Sequence, residues 1–416
     1  MRVARTYWAA RGTARSALRK AAAVTGRPSR EDTPQQTLDP ATLEVIRSGL
    51  DDQLDTILDR HEDAPGFVVF PPGIGWGVTL FQRPQQMALA FARIGYVVIY
   101  NLLENNAEMV RGFHEYAPRM YLAHVPDQAV DVLDRLPRPL VITYVYNFDW
   151  SRNLPGATTV YDHIDELEVF TAAYPITELR RWHAEAMRNA DLVTGSARDL
   201  HRHLLESRPD ALLVPNGVDY GHFAYYRETG QIPEGLESIA GRPLVGYYGA
   251  LAEWLDYDLI EYAAKALPEC EFVFIGPDYD GSSKKSVAFD LPNVTWLGPK
   301  PYTELPAYLA RFDVATIPFE VSDVTHSVSP LKLFEYMAGG RPIVIPALRE
   351  AGAYPGVLVG DDYEGYVARI KEALALGDDA EYVAKLRRTA RNNTWERRVL
   401  TLVDAAARAE TIRDKD

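Results

Sequence analysis

The stretch Ser329-Pro330-Leu331-Lys332-Leu333-Phe334-Glu335-Tyr336-Met337-Ala338-Gly339-Gly340 brings a cation, a carboxylate and a helix start close together. Ser329-Pro330 reads as an N-cap and first-turn pair, because serine caps orphan amides and proline needs no donor there. The amides of Leu331 and Lys332 would then face outward at the positive end of the helix, a setting suited to a diphosphate. Lys332 adds a full charge. Glu335, one turn on, suits hydrogen bonds from vicinal ribose hydroxyls, and Gly339-Gly340 ends the helix. The plainer reading is a capped amphipathic helix with a Lys/Glu pair at i, i+3. A second candidate is Phe70-Pro71-Pro72-Gly73-Ile74-Gly75-Trp76-Gly77, whose Gly73, Gly75 and Gly77 allow positive φ and close backbone approach to a ligand. It is neither a Walker loop nor a dinucleotide fingerprint in its spacing. Arg83 and Gln85 follow at a helix start, where Arg83 has the fork geometry for a phosphate or a sugar hydroxyl. Its plainer reading is a surface arginine. The third candidate is Asp162-His163 with Asp165-Glu166, able to serve as a base if the chemistry requires one, or simply to order a loop and cap a helix. His326 lies near the Lys332 motif and could point at the same phosphate, although lone histidines are more often structural.

The elements that would position these residues alternate between short apolar runs and helical patterns. Strands are expected at Phe67–Phe70, Tyr96–Tyr100, Leu140–Tyr146, Leu192–Thr194 and Leu212–Val214. A second series follows at Leu244–Tyr248, Phe272–Ile275, Val294–Leu297, Val314–Ile317 and Ile343–Ile345. Helices are expected at about 41–60, 83–94, 255–267 and 331–338 from their apolar spacing. Continuous apolar strands separated by helices imply parallel sheets covered on both faces. The fold class is therefore α/β, with two tandem doubly wound Rossmann-like domains facing a cleft, where such domains bind ligands at the carboxyl ends of their strands. The expected division is 1–62 for a basic helical N-terminal extension with linker and helix, 63–235 for the first domain and 236–380 for the second. Residues 381–416 are expected to form a C-terminal helix crossing back towards the first.

The segment SPLKLFEYMAGGRPIVIP resembles the nucleotide-sugar motif of retaining GT-B glycosyltransferases of the family 4 type. Val214-Pro215-Asn216-Gly217-Val218-Asp219 resembles the segment that closes the N-domain in that family. Gly246-Tyr247-Tyr248-Gly249, Phe272–Pro277 and Val294–Gly298 resemble the first three strands of the C-domain with their glycine turns. Phe81–Gln86 and Thr159–Asp165 resemble a bacterial subgroup that builds cell-surface polysaccharides. The resemblance covers about residues 65–400. It implies an acceptor domain followed by a donor domain, with Gly249, Gly276, Gly298, Ser329, Pro330, Leu331, Lys332 and Glu335 at the donor. Gly73, Gly75, Gly77, Arg83 and Gln85 would form an acceptor or phosphate loop, and Asp162, His163 and Asp165 would stand at the reacting sugar. The implied partners are a nucleotide diphosphate sugar, as co-substrate, and a glycan or lipid-linked acceptor. No metal and no cofactor is expected. Two positions depart from the pattern: Ser327 stands where a glutamate is usual, and Ala252-Glu253-Trp254-Leu255-Asp256 replaces the usual arginine and lysine. A nucleotide-sugar epimerase or hydrolase, and an inactive GT-B binding protein, are the alternatives on this fold.

Composition sets the wider frame. Hydrophobic residues form 47% of the 416, enough for a sizeable core, and the formal charge is −14. An acidic chain is poorly suited to nucleic acid, where phosphate contacts supply most of the affinity. One cysteine, Cys270, excludes a disulfide framework and a cysteine-based zinc cluster. No apolar run approaches the ~20 residues that span a bilayer, and the N-terminus has no continuous apolar signal core. A cytoplasmic protein is expected. Residues 1–30 nevertheless carry eight basic and no acidic residues, so the remainder of the chain stands at −22. Arg11, Arg15 and Arg19 share a helical stripe beside Tyr7 and Trp8, which suits the surface of an anionic membrane on the inner face. A flexible basic arm, or a helix docked on the acidic body, fits the same residues.

Overall fold

The computed structural model describes residues 38–104, 106–224, 226, 232–239 and 241–413. The basic segment 1–30 and most of its linker lie outside the described residues, as does much of the polar segment 227–242. The chain forms two compact units. The first runs to Val214 and resumes at Arg398; the second is Pro215–Arg397.

In the first unit the strands are β1 Phe67–Phe70, β2 Val97–Asn101, β3 Gly112–Ala117, β4 Met120–His124, β5 Leu140–Thr143, β6 Thr158–His163, β7 Leu192–Gly195 and β8 Leu212–Leu213. Their order is β3-β4-β2-β1-β5-β6-β7-β8, parallel except for β3 against β4. The order reverses between β1 and β5, which opens a crevice at their carboxyl ends. In the second unit, β9 Leu244–Tyr248, β10 Glu271–Ile275, β11 Val294–Trp296, β12 Val314–Thr316, β13 Ile343–Pro346 and β14 Val357–Gly360 pair in the order β11-β10-β9-β12-β13-β14. All are parallel, and the reversal falls between β9 and β12. This is the doubly wound arrangement expected, with β3, β4, β6 and β14 added. Two of them, β3 and β6, escape the apolar-run criterion because their residues are largely polar. The edge strand β3 exposes His114, Glu115 and Tyr116, β14 is half-buried, and β6 buries the polar sequence Thr-Thr-Val-Tyr-Asp-His.

Three boundaries differ from expectation. The helix Pro40–Arg60 belongs to the first unit's core, through buried Leu50, Leu54 and Ile57. Asp39 caps it by accepting from the amides of Ala41 and Thr42, and Arg135 bonds back to Asp51 at 3.0 Å. The segment Pro215–Asp219 opens the second unit rather than closing the first. Val218 lies in that unit's core, donates its amide to the Asn393 carbonyl at 3.0 Å and bridges to Thr394. The expected C-terminal helix is two. Ala380–Arg391 buries Leu386 and Ala390 in the second core, whereas Trp395–Arg413 begins in the second unit and ends in the first. There Val399, Leu402, Ala405 and Ala406 are buried and Glu410 accepts from Thr158 Oγ1 at 2.9 Å.

Candidate functional site

At the carboxyl end of the second sheet, the loops after β9, β10 and β11 carry Gly249, Gly276 and Gly298 within their first two residues, at φ of 144°, 148° and 68°. The Gly249 amide donates to the Ile275 carbonyl at 2.8 Å, and that of Gly276 to the Gly298 carbonyl at 2.9 Å. A Cβ on Gly276 would lie 1.8 Å from the Gly249 carbonyl oxygen, and one on Gly249 would lie 2.8 Å from Lys332 Cε. Only glycine fits there, so adjacent strands present bare backbone side by side.

Lys332 lies against this edge. Its ammonium is 5.2 Å from the ring centres of both Tyr247, on β9, and Phe319, just past β12, which places it at the strand-order reversal. The rings attract the cation, yet burial dominates and brings the amine down to about 8, with Glu335 pulling the other way. Glu335 follows on the helix Leu331–Gly339 and is 5% exposed. Burial raises its carboxyl to about 7, opposed by the Tyr248 hydroxyl and Lys332. The Tyr248 hydroxyl is itself buried beside that carboxyl.

The N-cap of this helix is Pro330, which makes no side-chain cap, so the expected Ser329 cap is corrected. Ser329 is otherwise engaged. Its Oγ accepts from the Asn216 amide at 3.3 Å, and Asn216 Nδ2 donates to its carbonyl. Asn216 thus fastens the loop that delivers the helix start, a role invisible until the fold brings residues 216 and 329 together. Ser327 closes the short helix Asp323–His326, and His326 Nδ1 accepts from the Arg349 amide at 3.3 Å. After β9, where a basic pair is usual, the Glu253 amide donates to Asp280 Oδ2 at 2.8 Å, and burial together with Asp280 raises the Glu253 carboxyl.

The first unit disposes of its candidates differently. Arg83 donates from Nε to Asp162 Oδ2 at 2.7 Å and from Nη2 to Asp162 Oδ1 and the Val214 carbonyl, each at 2.9 Å. Thr194 Oγ1 adds a bond to Asp162 Oδ1 at 2.7 Å. The ion pair is 4% and 0% exposed. It ties the start of helix Arg83–Arg93 to β6 and β7, so the two charges meet each other rather than a phosphate and a sugar. Asp165 is half-buried in the loop after β6. His163 is 7% exposed, and burial with His183 and His203 nearby lowers it to about 3, which keeps it neutral. His183, which the sequence reading misses, stands with its ring centre 4.8 Å from that of His163.

The loop Gly73–Gly77 does not use left-handed backbone at its glycines. Close contact explains Gly73, where a Cβ would lie 3.1 Å from Tyr146 and Asn147. Asn147 donates to the Pro72 carbonyl at 3.1 Å, Tyr100 to that of Ile74 at 2.7 Å and Gln85 to that of Gly75 at 3.0 Å. The Gly77 amide donates to the Glu108 carboxylate, so an anion of the chain itself already occupies that donor. Among the described residues, no group of three or more His, Cys, Asp or Glu is placed to hold a metal ion.

Residues 242–376 match the family model described as glycosyl transferases group 1. The chain also superposes on a sucrose-phosphate synthase from Thermosynechococcus elongatus with a TM-score of 0.66 at 15% identity, covering 83% of this chain and 100% of that one. The fold is that of the GT-B glycosyltransferases. Other solved GT-B relatives agree. Anabaena HepE, determined in complex with UDP and glucose, gives a TM-score of 0.59 at 14% identity over 82% of this chain and 99% of that one. The trehalose-6-phosphate synthase OtsA gives 0.62 at 10% identity, covering 82% of this chain and 99% of that one. By sequence, a Bacillus subtilis protein described as a teichuronic acid biosynthesis glycosyltransferase, TuaH, is 30% identical over 221 residues, 50% of this chain. The chain spans about half the length of that curated relative, 55%. In this GT-B chain, Gly249, Gly276, Gly298, Lys332 and Glu335 all lie in the segment matched by the family model.

Proposed function

We propose that this chain is a glycosyltransferase that moves a sugar from a nucleotide diphosphate donor to a glycan or lipid-linked acceptor in cell-surface polysaccharide synthesis, with retention of configuration. The observation that carries the proposal is the pairing of Lys332 and Glu335 beside the bare backbone of Gly249 and Gly276, at the strand-order reversal of the second sheet. In this reading the first-turn amides of helix Leu331–Gly339 and the Lys332 ammonium hold the diphosphate and stabilise the charge that develops as it departs. Glu335 accepts hydrogen bonds from the ribose hydroxyls. The first unit serves the acceptor. A histidine held neutral down to about pH 3 is a weak base, so His163 suits a hydrogen bond to a sugar hydroxyl better than proton abstraction. That supports a retaining transfer, in which the departing diphosphate takes the acceptor proton. The structures of HepE with UDP and glucose make a UDP-sugar the first donor to try, and the description of TuaH points to an envelope polymer as product.

Thermal-shift measurements with UDP, GDP, dTDP and their sugars test the donor site, because a ligand that binds only the folded state raises its melting temperature. A rise with one nucleotide that disappears in Glu335→Ala and Lys332→Ala is expected. No response to any nucleotide overturns the proposal. NMR of the product anomer tests retention, and an inverted linkage overturns that part. Donor consumption at the same rate without any glycan would point instead to hydrolysis or epimerisation.

A further inference from the structure

The end of β6 carries a group that the donor chemistry leaves unused. Tyr161 is fully buried, and its hydroxyl lies between two imidazoles, 3.2 Å from His163 Nδ1 and 2.7 Å from His183 Nδ1. A phenol has one proton to give. If it donates to one ring, its oxygen is left to accept from the other, so the two neutral imidazoles must hold opposite tautomers. The lengths choose between the two arrangements. Bonds donated by a hydroxyl are typically shorter than those donated by an N–H. The 2.7 Å contact therefore suits Tyr161 O–H donating to His183 Nδ1, and the 3.2 Å contact suits His163 Nδ1–H donating to Tyr161. His163 Nε2 is then left with a lone pair. It has no hydrogen-bond partner among the described residues, and it belongs to the last residue of a strand at the ligand-binding edge of the sheet.

We infer that Tyr161 and His183 are positioning residues that lock His163 as its Nδ1–H tautomer, making Nε2 a fixed acceptor for one hydroxyl of the sugar substrate. The inference rests on the glycosyltransferase reading for the identity of the ligand, but its tautomer content does not. An imidazole free to exchange tautomers would present a lone pair only part of the time. One locked by a buried phenol reads a hydroxyl and rejects a sugar that lacks it, because the unpaired groups are then left buried. Asp162, the neighbouring carboxylate, is engaged by Arg83 and Thr194 and its side chain is 0% exposed, which keeps it from a ligand.

Long-range ¹⁵N–¹H spectra of the full chain, with each histidine assigned by substitution, test this directly. The expected pattern is His163 protonated at Nδ1 and His183 at Nε2, with the preference of His163 lost in Tyr161→Phe. Finding His163 protonated at Nε2, or unchanged in Tyr161→Phe, overturns the inference. In steady-state assays with donor and acceptor, Tyr161→Phe and His183→Leu should lower kcat/KM about tenfold or more while donor affinity stays unchanged. His183→Asn, whose side-chain oxygen can accept in place of Nδ1, should restore most of it. Equal loss in His183→Asn and His183→Leu would also overturn the assignment. The two levels fail separately. Absence of nucleotide binding removes the glycosyltransferase reading but leaves the tautomers measurable, whereas normal nucleotide binding with the wrong tautomers removes only this inference.

Discussion

Burial shifts the pKa of both Glu335 and Lys332 against the charged form, and both shifts lower stability near neutral pH. Folding raises the Glu335 pKa from 4.5 to about 7, so the folded state loses stability as pH rises through that interval and bears the full penalty above it. Folding lowers that of Lys332 from 10.5 to about 8, so its penalty is full below about pH 8 and is relieved as pH rises towards 10.5. Glu335→Gln should therefore raise the melting temperature of the unliganded protein at pH 8, by on the order of 1 kcal/mol of stability, while weakening nucleotide binding tenfold or more. Denaturation curves and nucleotide titrations on the same samples check both signs. Arg83 behaves in the opposite way. Arg83→Ala strands a buried Asp162 and should cost about 3–5 kcal/mol in urea unfolding. Adding Asp162→Asn should recover part of that loss, which a purely catalytic arginine would not show.

At the scale of elements, the donor site depends on two strand ends, at Gly249 and Gly276, that tolerate no side chain and on one helix whose start Asn216 holds. Gly276→Ala would drive a Cβ to 1.8 Å from the Gly249 carbonyl oxygen and require a left-handed backbone of alanine. A loss of about 3 kcal/mol is expected, with nucleotide binding abolished in whatever folds. Asn216→Ala removes the bond from Nδ2 to the Ser329 carbonyl, keeps the backbone amide that donates to Ser329 Oγ, and leaves Lys332 and Glu335 chemically intact. Its expected signature is weaker nucleotide affinity by calorimetry with little change in stability, because the helix start loses its fixed position. The Gly73–Gly77 loop needs a different account from the one its composition suggests. Side chains of Asn147, Tyr100, Gln85 and Glu108 hold it by hydrogen bonds, and Gly73 and Gly77 serve close packing.

At the scale of the molecule, the first unit is discontinuous in sequence. Its last segment returns from Arg398 and buries Val399 and Leu402 completely. Removing residues 398–416 should lower the first unfolding transition in calorimetry, since two fully buried aliphatic side chains alone contribute about 3–6 kcal/mol. No helix among the described residues is long and apolar enough to cross a membrane. The eight basic residues of segment 1–30 are the proposed attachment to anionic lipid, at about 1 kcal/mol each near such a surface. Their deletion should release the protein from the membrane fraction, and retention there would refute the attachment.

Apolar runs and glycine turns are local properties, so most strands, the doubly wound class and the Ser329–Gly340 motif were legible in the linear order of residues. Lys332 and Glu335 were legible for the same reason, since one helical turn fixes their separation whatever surrounds them. The strand β6 and the edge β3 were not, because their residues are polar and only their neighbours in the sheet make them strands. The partners of Asp162 and Ser329 were not legible either. Arg83 lies 79 positions from Asp162, and Asn216 lies 113 from Ser329, and nothing in either local sequence specifies the other. The same holds for His183, which looks like any histidine on a polar helix until the Tyr161 hydroxyl stands 2.7 Å away. Sequence determined which groups were available and which short elements carried them. Tertiary structure decided which charges neutralise each other in the interior and which remain to meet a ligand, because burial and long-range pairing set those states.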